Sequence, residues 1–502
     1  MLFYAQSEVA NSCVVLVPFC GSKSTLEPSR FSNSFPKMKP RYWIQTYGCQ
    51  MNVHDSERMA GMLENLGFDP TEHAEEADVI LLNTCAVRER PEQKLYSDLG
   101  RLRMLKVANP NLVIGVAGCM AQREADSIRR RVPEVDILLG PRNLHHLPLL
   151  VRSARDGGAR ANFGFGLGLE VDPTPITPVR RSSATSAWVD VIFGCNFKCT
   201  YCAVPSARGR EISRRPSEVL DEIRQLSDLG YREVTLLGQT VNAYGHDLGK
   251  LDDGTRLDFV WLLEQISAIA PDLRVRFMSP HPMYFSEALV DAIAQLPGVC
   301  EHLHMPLQSG DNECLKRMKR TYSVERYRSI VERVRARMPE VTLTTDAIVG
   351  FCGETDTEFE NTLDFFREVR FDQAFMFAYS PRHTTEAFDW ADDVPALVKK
   401  ERLNRLIDLQ AEVSREKNRE LIGRTFEVLV EGPSDKDPLK IAGRTRGNKL
   451  MIFPGSSREF PVGTLVNVEA REGFLWGFLG EARQTTRKIE APRVLMELQM
   501  AG

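Results

Sequence analysis

Cys195-Asn196-Phe197-Lys198-Cys199-Thr200-Tyr201-Cys202 decides how the rest of the chain is read. Three cysteines fall within eight residues, separated by three and then two others. The apolar run Trp188–Phe193 leads straight into the first of them. Such a run reads as a buried strand, with the cysteines in the loop at its C-terminal end. Thiolates hold iron–sulfur clusters, and a [4Fe–4S] cube normally takes four. A set of three leaves one iron for another ligand, and the oxygen and nitrogen groups of a cofactor are natural candidates. The alternatives are a zinc knot, which wants four ligands where no fourth Cys or His lies nearby, and three unrelated thiols.

The C-x3-C-x2-C spacing, with Tyr201 before the last Cys, resembles the signature of the radical S-adenosylmethionine (SAM) enzymes. The resemblance implies that Cys195, Cys199 and Cys202 hold a [4Fe–4S] cube. It also implies that the amino and carboxylate groups of SAM chelate the fourth iron, and that one electron cleaves SAM to a 5′-deoxyadenosyl radical. The protein contributes position and exclusion of water.

Composition sets the frame. A chain of 502 residues is too long for one ordinary core and implies two to four domains. Hydrophobic residues make up 43% and charged residues 26%, as in a water-soluble globular protein. The net charge of −4 gives no global attraction for nucleic acid, so any RNA contact must use local basic patches. No secretory signal is legible: the first basic residue is Lys23, and the apolar stretch Cys13–Cys20 is short and holds Pro18. No run reaches the roughly 18 apolar residues that span a bilayer. The expectation is a cytoplasmic protein, off the membrane, whose clustered cysteines bind metal.

Residues 1–40, rich in Ser and Pro, read as a disordered extension or a misassigned start, in which Cys13 and Cys20 are incidental thiols. From 41 to 151 the pattern is α/β. The runs Tyr42–Tyr47, Val79–Leu82 and Leu112–Ala117 are followed by helical patterns, including Asp55–Leu66 and Ala121–Arg131. That alternation predicts a small parallel sheet with crossover helices. One cysteine lies just past each run: Cys49, Cys85 and Cys119. Sites in open α/β sheets form outside the carboxyl ends of the strands, so the three can converge on a second cluster. The other reading is three small buried core residues.

The stretch Thr46-Tyr47-Gly48-Cys49-Gln50-Met51-Asn52-Val53-His54-Asp55-Ser56-Glu57 is similar to the N-terminal motif of the methylthiotransferases, radical SAM enzymes with two clusters. In that family the second cluster is implicated in supplying or carrying sulfur. One branch modifies isopentenylated adenosine beside the anticodon of tRNA, a second acts on threonylcarbamoyladenosine in tRNA, and a third on an aspartate of a ribosomal protein. The Gly-Cys-Gln-Met-Asn form resembles the first branch.

Residues 152–185 read as a linker; Gly164, Gly166 and Gly168 lack the flanking strand and helix of a dinucleotide loop. From 186 to 421 six candidate strands alternate with helices: Trp188–Phe193, Glu233–Leu237, Arg274–Met278, His302–Leu307, Thr342–Ile348 and Ala374–Tyr379. The alternation predicts a parallel barrel or open barrel with its site at the C-terminal mouth, and the radical SAM resemblance implies a (β/α)6 partial barrel of the TIM type. Polar residues after the strand ends are candidates to hold SAM beside Tyr201: Gln239, Asn242, Ser279, Gln308 and Asp346. Each could equally cap a helix or satisfy loop backbone. Two departures stand out against the resemblance. Cys352 occupies a usual Pro position and is read as a loop thiol, and His383-Thr384-Thr385 replaces Pro-Gly-Thr.

Residues 424–483 turn to short strands: Thr425–Val430, Leu439–Gly443, Leu450–Phe453, Leu465–Ala470 and Phe474–Phe478. They predict a small antiparallel β-barrel over 422–484, which resembles the RNA-binding TRAM domain. The segment 424–483 holds nine Lys/Arg and eight Asp/Glu, so binding would need a local patch. Candidate RNA contacts are Arg208, Arg210 and Arg214 near the mouth, and Arg444, Arg446 and Lys449 on the barrel. The other reading is a solvated charged face. Residues 485–502 read as a tail.

Together the resemblance, over about 41–484, implies a tRNA methylthiotransferase with two [4Fe–4S] clusters and SAM. One SAM would methylate sulfur at the Cys49/Cys85/Cys119 site, and a second would be cleaved at the other. Implied partners are the tRNA anticodon stem-loop, an electron donor of the flavodoxin or ferredoxin type, and a sulfur donor, with the chain a monomer. Two alternatives stay open: another methylthiotransferase substrate, and a non-catalytic iron–sulfur protein that binds RNA or carries electrons.

Overall fold

The N-terminal strands Arg41–Thr46, Val79–Thr84 and Val113–Gly118 lie side by side and parallel at the centre of a six-stranded sheet. Every position of Val79–Thr84 and Val113–Gly118 is buried. A parallel sheet covered on both faces requires such strands. One face packs Met59, Leu63, Val79, Leu81 and Val113, and the other packs Ile80, Leu82, Leu95, Ile114 and Val116. The outer strands, Asp69–Pro70, Ile137–Leu139 and Asn162–Phe163, were not legible in the sequence, being only two or three residues long. The register pairs Thr46 with Asn83 and Thr84 with Gly118, so the three strands end level. This computed structural model describes residues 39–85, 89–157, 162–163 and 178–487. Almost all of the expected extension, the glycines 164, 166 and 168, and the expected tail after 487 lie outside the described residues.

In the centre of the chain Ser186–Asp190, Glu233–Leu237 and Arg274–Phe277 form one parallel triplet. His302–His304, Thr342–Val349 and Gln373–Ala378 form another. Backbone bonds stitch the two: Val275 N–H donates to Gly298 at 2.8 Å, and Cys300 N–H donates to Val275 at 2.9 Å. Six parallel strands therefore follow chain order as an open barrel, with helices outside. The expected run Trp188–Phe193 is broken at Val191. Beyond it Ile192–Phe193 leaves the sheet and pairs antiparallel with Ile212–Ser213. Along the later strands one face is core (Leu303, Leu343, Ala347, Ala374). By the period of two, the other face carries His304, Asp346, Phe375 and Phe377 into the lumen.

Helix Ala396–Glu420 leads to a closed five-stranded barrel built from Thr425–Ser434, Asp437–Thr445, Leu450–Pro454, Leu465–Phe474 and Gly477–Arg487. The expected strand Phe474–Phe478 contains a turn instead; the aromatic residues there have strand-like propensity, but Leu475 and Trp476 lie at a hairpin tip. This barrel sits at the N-terminal end of the central strands, opposite the cysteines. Arg276 donates from Nη1 to the Arg446 carbonyl at 2.6 Å and from Nη2 to the Thr445 carbonyl at 2.8 Å. Arg274 pairs with Glu427 at 2.8 Å.

Candidate active site with two thiol triads

The level strand ends of the N-terminal sheet bring Cys49, Cys85 and Cys119 together. Cys49 precedes helix Gln50–Asn65, Cys85 follows Val79–Thr84, and Cys119 opens helix Cys119–Arg131. Gly48 (φ +138°) permits the close approach: a Cβ there would lie 2.6 Å from Cys85 Cβ. A hydrogen bond with the Cys85 thiol, with help from Arg208, lowers the Cys49 pKa to about 6 against the cost of burial. Burial pushes the Cys119 thiol up. Helix N-termini favour thiolate at both Cys49 and Cys119.

The second triad sits at the mouth of the open barrel. Cys195 Sγ lies 3.4 Å from Thr240 Oγ1, Cys199 Sγ accepts from Arg320 Nη1 at 3.3 Å, and Cys202 Sγ accepts from Val204 N–H at 3.5 Å. Burial raises the Cys195 thiol and pushes Cys202 up to about 12, where the neighbouring Cys199 adds to the effect. Each set offers three thiols, and a cube gives each thiolate its own iron while one iron stays open, so the donor sets fit [4Fe–4S] clusters.

Of the expected SAM contacts, Gln239 accepts from Gly194 N–H and leaves its buried Nε2 without a partner. That orphan donor at the mouth fits a polar cofactor. Asn242 is occupied by His281, donating to its carbonyl at 3.1 Å and accepting from its N–H at 2.8 Å. Ser279 and Gln308 both take positive φ, +59° and +73°. Asp346 meets His304 Nε2 at 3.3 Å on the lumen wall. Tyr201 packs against the Cys314, Met318 and Phe351 cluster, which also takes up Cys352 as a buried loop thiol. His281 escaped the sequence reading: its ring stacks on Phe197 at 3.9 Å, inside the cysteine loop, and burial drops its pKa to about 2. Its only mark in the sequence was a place beyond a strand end.

The expected RNA contacts separate. Arg208 and Arg214 are buried and ion-paired, Arg208 to Asp55 at 2.7 Å and Arg214 to Glu222 at 2.7 Å. Their charge is consumed inside the protein, which corrects the phosphate reading. Arg446 forks onto Glu301 with two 2.8 Å bonds, and Lys449 reaches Asp372 at 3.0 Å; both tie the C-terminal barrel to the central strands. Arg444 pairs with Glu431 at 3.3 Å. Arg210 is exposed. The loop that departs from Pro-Gly-Thr places Thr384 at φ +72°, held by a 3.0 Å bond from Arg123 Nε.

Residues 189–366 match the radical SAM superfamily, residues 41–140 the uncharacterised protein family UPF0004, and residues 419–473 the TRAM domain. A solved radical SAM methyltransferase from Kitasatospora setae, TsrM with cobalamin and a [4Fe–4S] cluster bound, shares the fold. It aligns with TM-score 0.50 at 15% identity, over 70% of this chain and 77% of that one. The fold and the mouth triad thus define a radical SAM enzyme. Over 448 residues the chain is 47% identical to the tRNA-2-methylthio-N(6)-dimethylallyladenosine synthase of Moorella thermoacetica, covering 89% of this chain and 99% of the relative. It is 45% identical to the synthase of that name from Thermoanaerobacter pseudethanolicus, over 89% of this chain and 93% of the relative. The chain belongs to the radical SAM methylthiotransferase family, whose cofactors are [4Fe–4S] clusters and SAM.

Proposed function

We propose that this chain adds a methylthio group to C2 of N(6)-isopentenyl(dimethylallyl)adenosine next to the anticodon in tRNA. The observation that supports the reading is that the N-terminal set of three thiols reaches, through one buried contact, the helix that follows the second set. Cys119 packs on Ala207, five residues after Cys202. Methylthio insertion needs sulfur held near the place where a C–H bond is opened, and that contact supports such an arrangement.

Cys49, Cys85 and Cys119 would hold one cluster, and Cys195, Cys199 and Cys202 the other. When bound, the clusters and SAM supply the electron, the methyl group and the hydrogen-abstracting radical. The chain's own residues hold the mouth thiols through Thr240, Arg320 and Val204, and offer Gln239 Nε2 to a polar cofactor. Phe375 and Phe377, 42% and 36% exposed, give the lumen an apolar wall against which an isopentenyl group can lie. We assign residues 41–151 to sulfur, 186–421 to radical formation and 422–484 to RNA, with 152–185 between. Arg210 supplies an exposed cation near the mouth of the open barrel. The chain acts as a cytoplasmic monomer with a flavodoxin- or ferredoxin-type electron donor and a separate sulfur donor.

The test is mass spectrometry of tRNA nucleosides from a strain lacking the chain. The methylthio-isopentenyl form should vanish while isopentenyladenosine accumulates, and unchanged nucleosides would refute the assignment. Iron and sulfide analysis of the anaerobically reconstituted protein supplies the second arm. Cys49→Ala and Cys195→Ala should each remove roughly half of the iron, since each triad holds one cluster.

A further inference from the structure

Arg208 reaches the N-terminal triad from the helix that follows the mouth triad. It ends helix Val204–Arg208, which starts two residues after Cys202. Its Nε donates to Cys119 Sγ at 3.3 Å, and its Nη2 donates to Asp55 Oδ2 at 2.7 Å. Arg208 is 4% exposed and Asp55 1%. Its backbone is pinned from both sides. Arg142 Nε donates to the Arg208 carbonyl at 2.5 Å, and Cys195 N–H donates to the Gly209 carbonyl at 3.0 Å.

We propose that Arg208 is a positioning residue for the N-terminal triad, which fixes Cys119 and sets a permanent positive charge beside the cluster these thiols hold. The consequence is a cluster that is easier to reduce than one beside a neutral residue. The inference rests on reading Cys49, Cys85 and Cys119 as cluster ligands.

Three observations carry it. A guanidinium paired for stability alone commonly forks both donors onto one carboxylate, as Arg446 does with Glu301. Arg208 instead spends one donor on sulfur. Second, it touches the thiol directly, so its charge acts at short range in a buried, weakly screening environment. Asp55 meets a different nitrogen of the same group and balances the charge without intercepting it. Third, one-electron reduction adds one negative charge to a cluster. An N–H bond to sulfur and an adjacent cation stabilise that added charge, and hydrogen bonds to sulfur and net charge are established determinants of cluster potential.

The experiment uses the full chain carrying Cys195→Ala, Cys199→Ala and Cys202→Ala, reconstituted with iron and sulfide, so that the N-terminal cluster is read alone. Its midpoint potential is followed by EPR during titration with dithionite, which supplies the electron. Arg208→Gln should lower the potential. Asp55→Asn keeps the guanidinium and removes its counter-charge, so it should raise it. Arg208→Lys should fall between parent and Arg208→Gln. Shifts of opposite sign from two touching buried substitutions do not arise from loosened packing. A potential that ignores both changes, or moves the same way in both, overturns the proposal. If Arg208→Gln fails to assemble, the sign for Asp55→Asn and the place of Arg208→Lys decide it. No cluster in the parent overturns the ligand reading and this inference with it, whereas an intact cluster indifferent to Arg208 overturns this inference alone.

Discussion

At Gly118 the backbone takes φ +94°, and a Cβ there would sit 2.4 Å from the Thr84 carbonyl oxygen and 2.5 Å from Asn83 Oδ1. No side chain fits both the conformation and the space, and the next residue is Cys119. Gly118→Ala should therefore cost about 3 kcal/mol from backbone strain alone and displace one thiol of the triad. Denaturant unfolding should show a lower midpoint at unchanged slope, and the reconstituted protein should hold less iron per chain. Asn83 makes a second residue-scale prediction. It is buried, donating to the Asn52 carbonyl at 2.7 Å and to Ser56 Oγ at 3.0 Å, while accepting from Asn52 Nδ2 at 3.1 Å. Asn83→Leu strands polar groups of the helix that starts beside Cys49. A loss of about 2–3 kcal/mol follows from unsatisfied buried partners, and urea unfolding measures it. An unchanged midpoint would mean that the Asn83 bonds do not hold that helix.

The strand Gln373–Ala378 shows the same logic one level up. Its register pairs Asp346 with Phe375 and Ile348 with Phe377, and alternate residues enter the core. Phe375→Ala removes a ring already 42% exposed and should cost under about 1.5 kcal/mol, whereas Phe366→Ala, at 1% exposure, should cost about 3–5 kcal/mol. If Phe375 faces the prenyl group, its loss should also lower kcat/KM on prenylated RNA about tenfold or more without altering SAM cleavage in the absence of RNA. Equal losses on prenylated and unprenylated RNA would remove that role. These elements were largely readable beforehand, because runs such as Glu233–Leu237 and helices such as Phe259–Ile269 carry their period in consecutive residues. The two sets of cysteines were readable for different reasons: Cys49, Cys85 and Cys119 each lie just past a strand end, and Cys195, Cys199 and Cys202 share one short spacing. Arg208 was not. In the sequence it belongs to a charge run, and the carboxylate that buries it lies 153 residues earlier. The same holds for Arg446 and Lys449, whose partners are more than thirty residues away. Side-chain partners at that separation leave no local pattern, so a buried cation reads as a solvated one.

Across the whole molecule, the C-terminal barrel is held under the open barrel by charge, and this makes its docking sensitive to acid. Asp372 is the centre: Lys417 Nζ lies 2.7 Å from Oδ2, Lys449 Nζ lies 3.0 Å from Oδ1, and Leu343 N–H donates to Oδ2 at 3.0 Å. Burial works against the Asp372 charge, but the two lysines and that N–H outweigh it and hold its carboxyl below its ordinary value. Glu301 is likewise held low: burial opposes its charge, and the paired Arg446 overcomes it. A carboxyl depressed by folding contributes stability that is complete above its unfolded pKa and lost as pH falls through the folded value. The ordinary carboxylate value is about 4, so the loss should fall below that pH and leave neutral solutions unaffected. Asp372→Asn at neutral pH should cost about 3–5 kcal/mol, the range for a buried pair deprived of one partner, because two amines lose their counter-charge. The variant should also show a shallower acid limb than the parent, because one of the protons taken up on unfolding is gone. Urea midpoints at pH 7 and at mildly acidic pH values approaching 3 measure both effects. Parallel acid limbs in parent and variant would mean that Asp372 is not the group through which acid loosens the barrel.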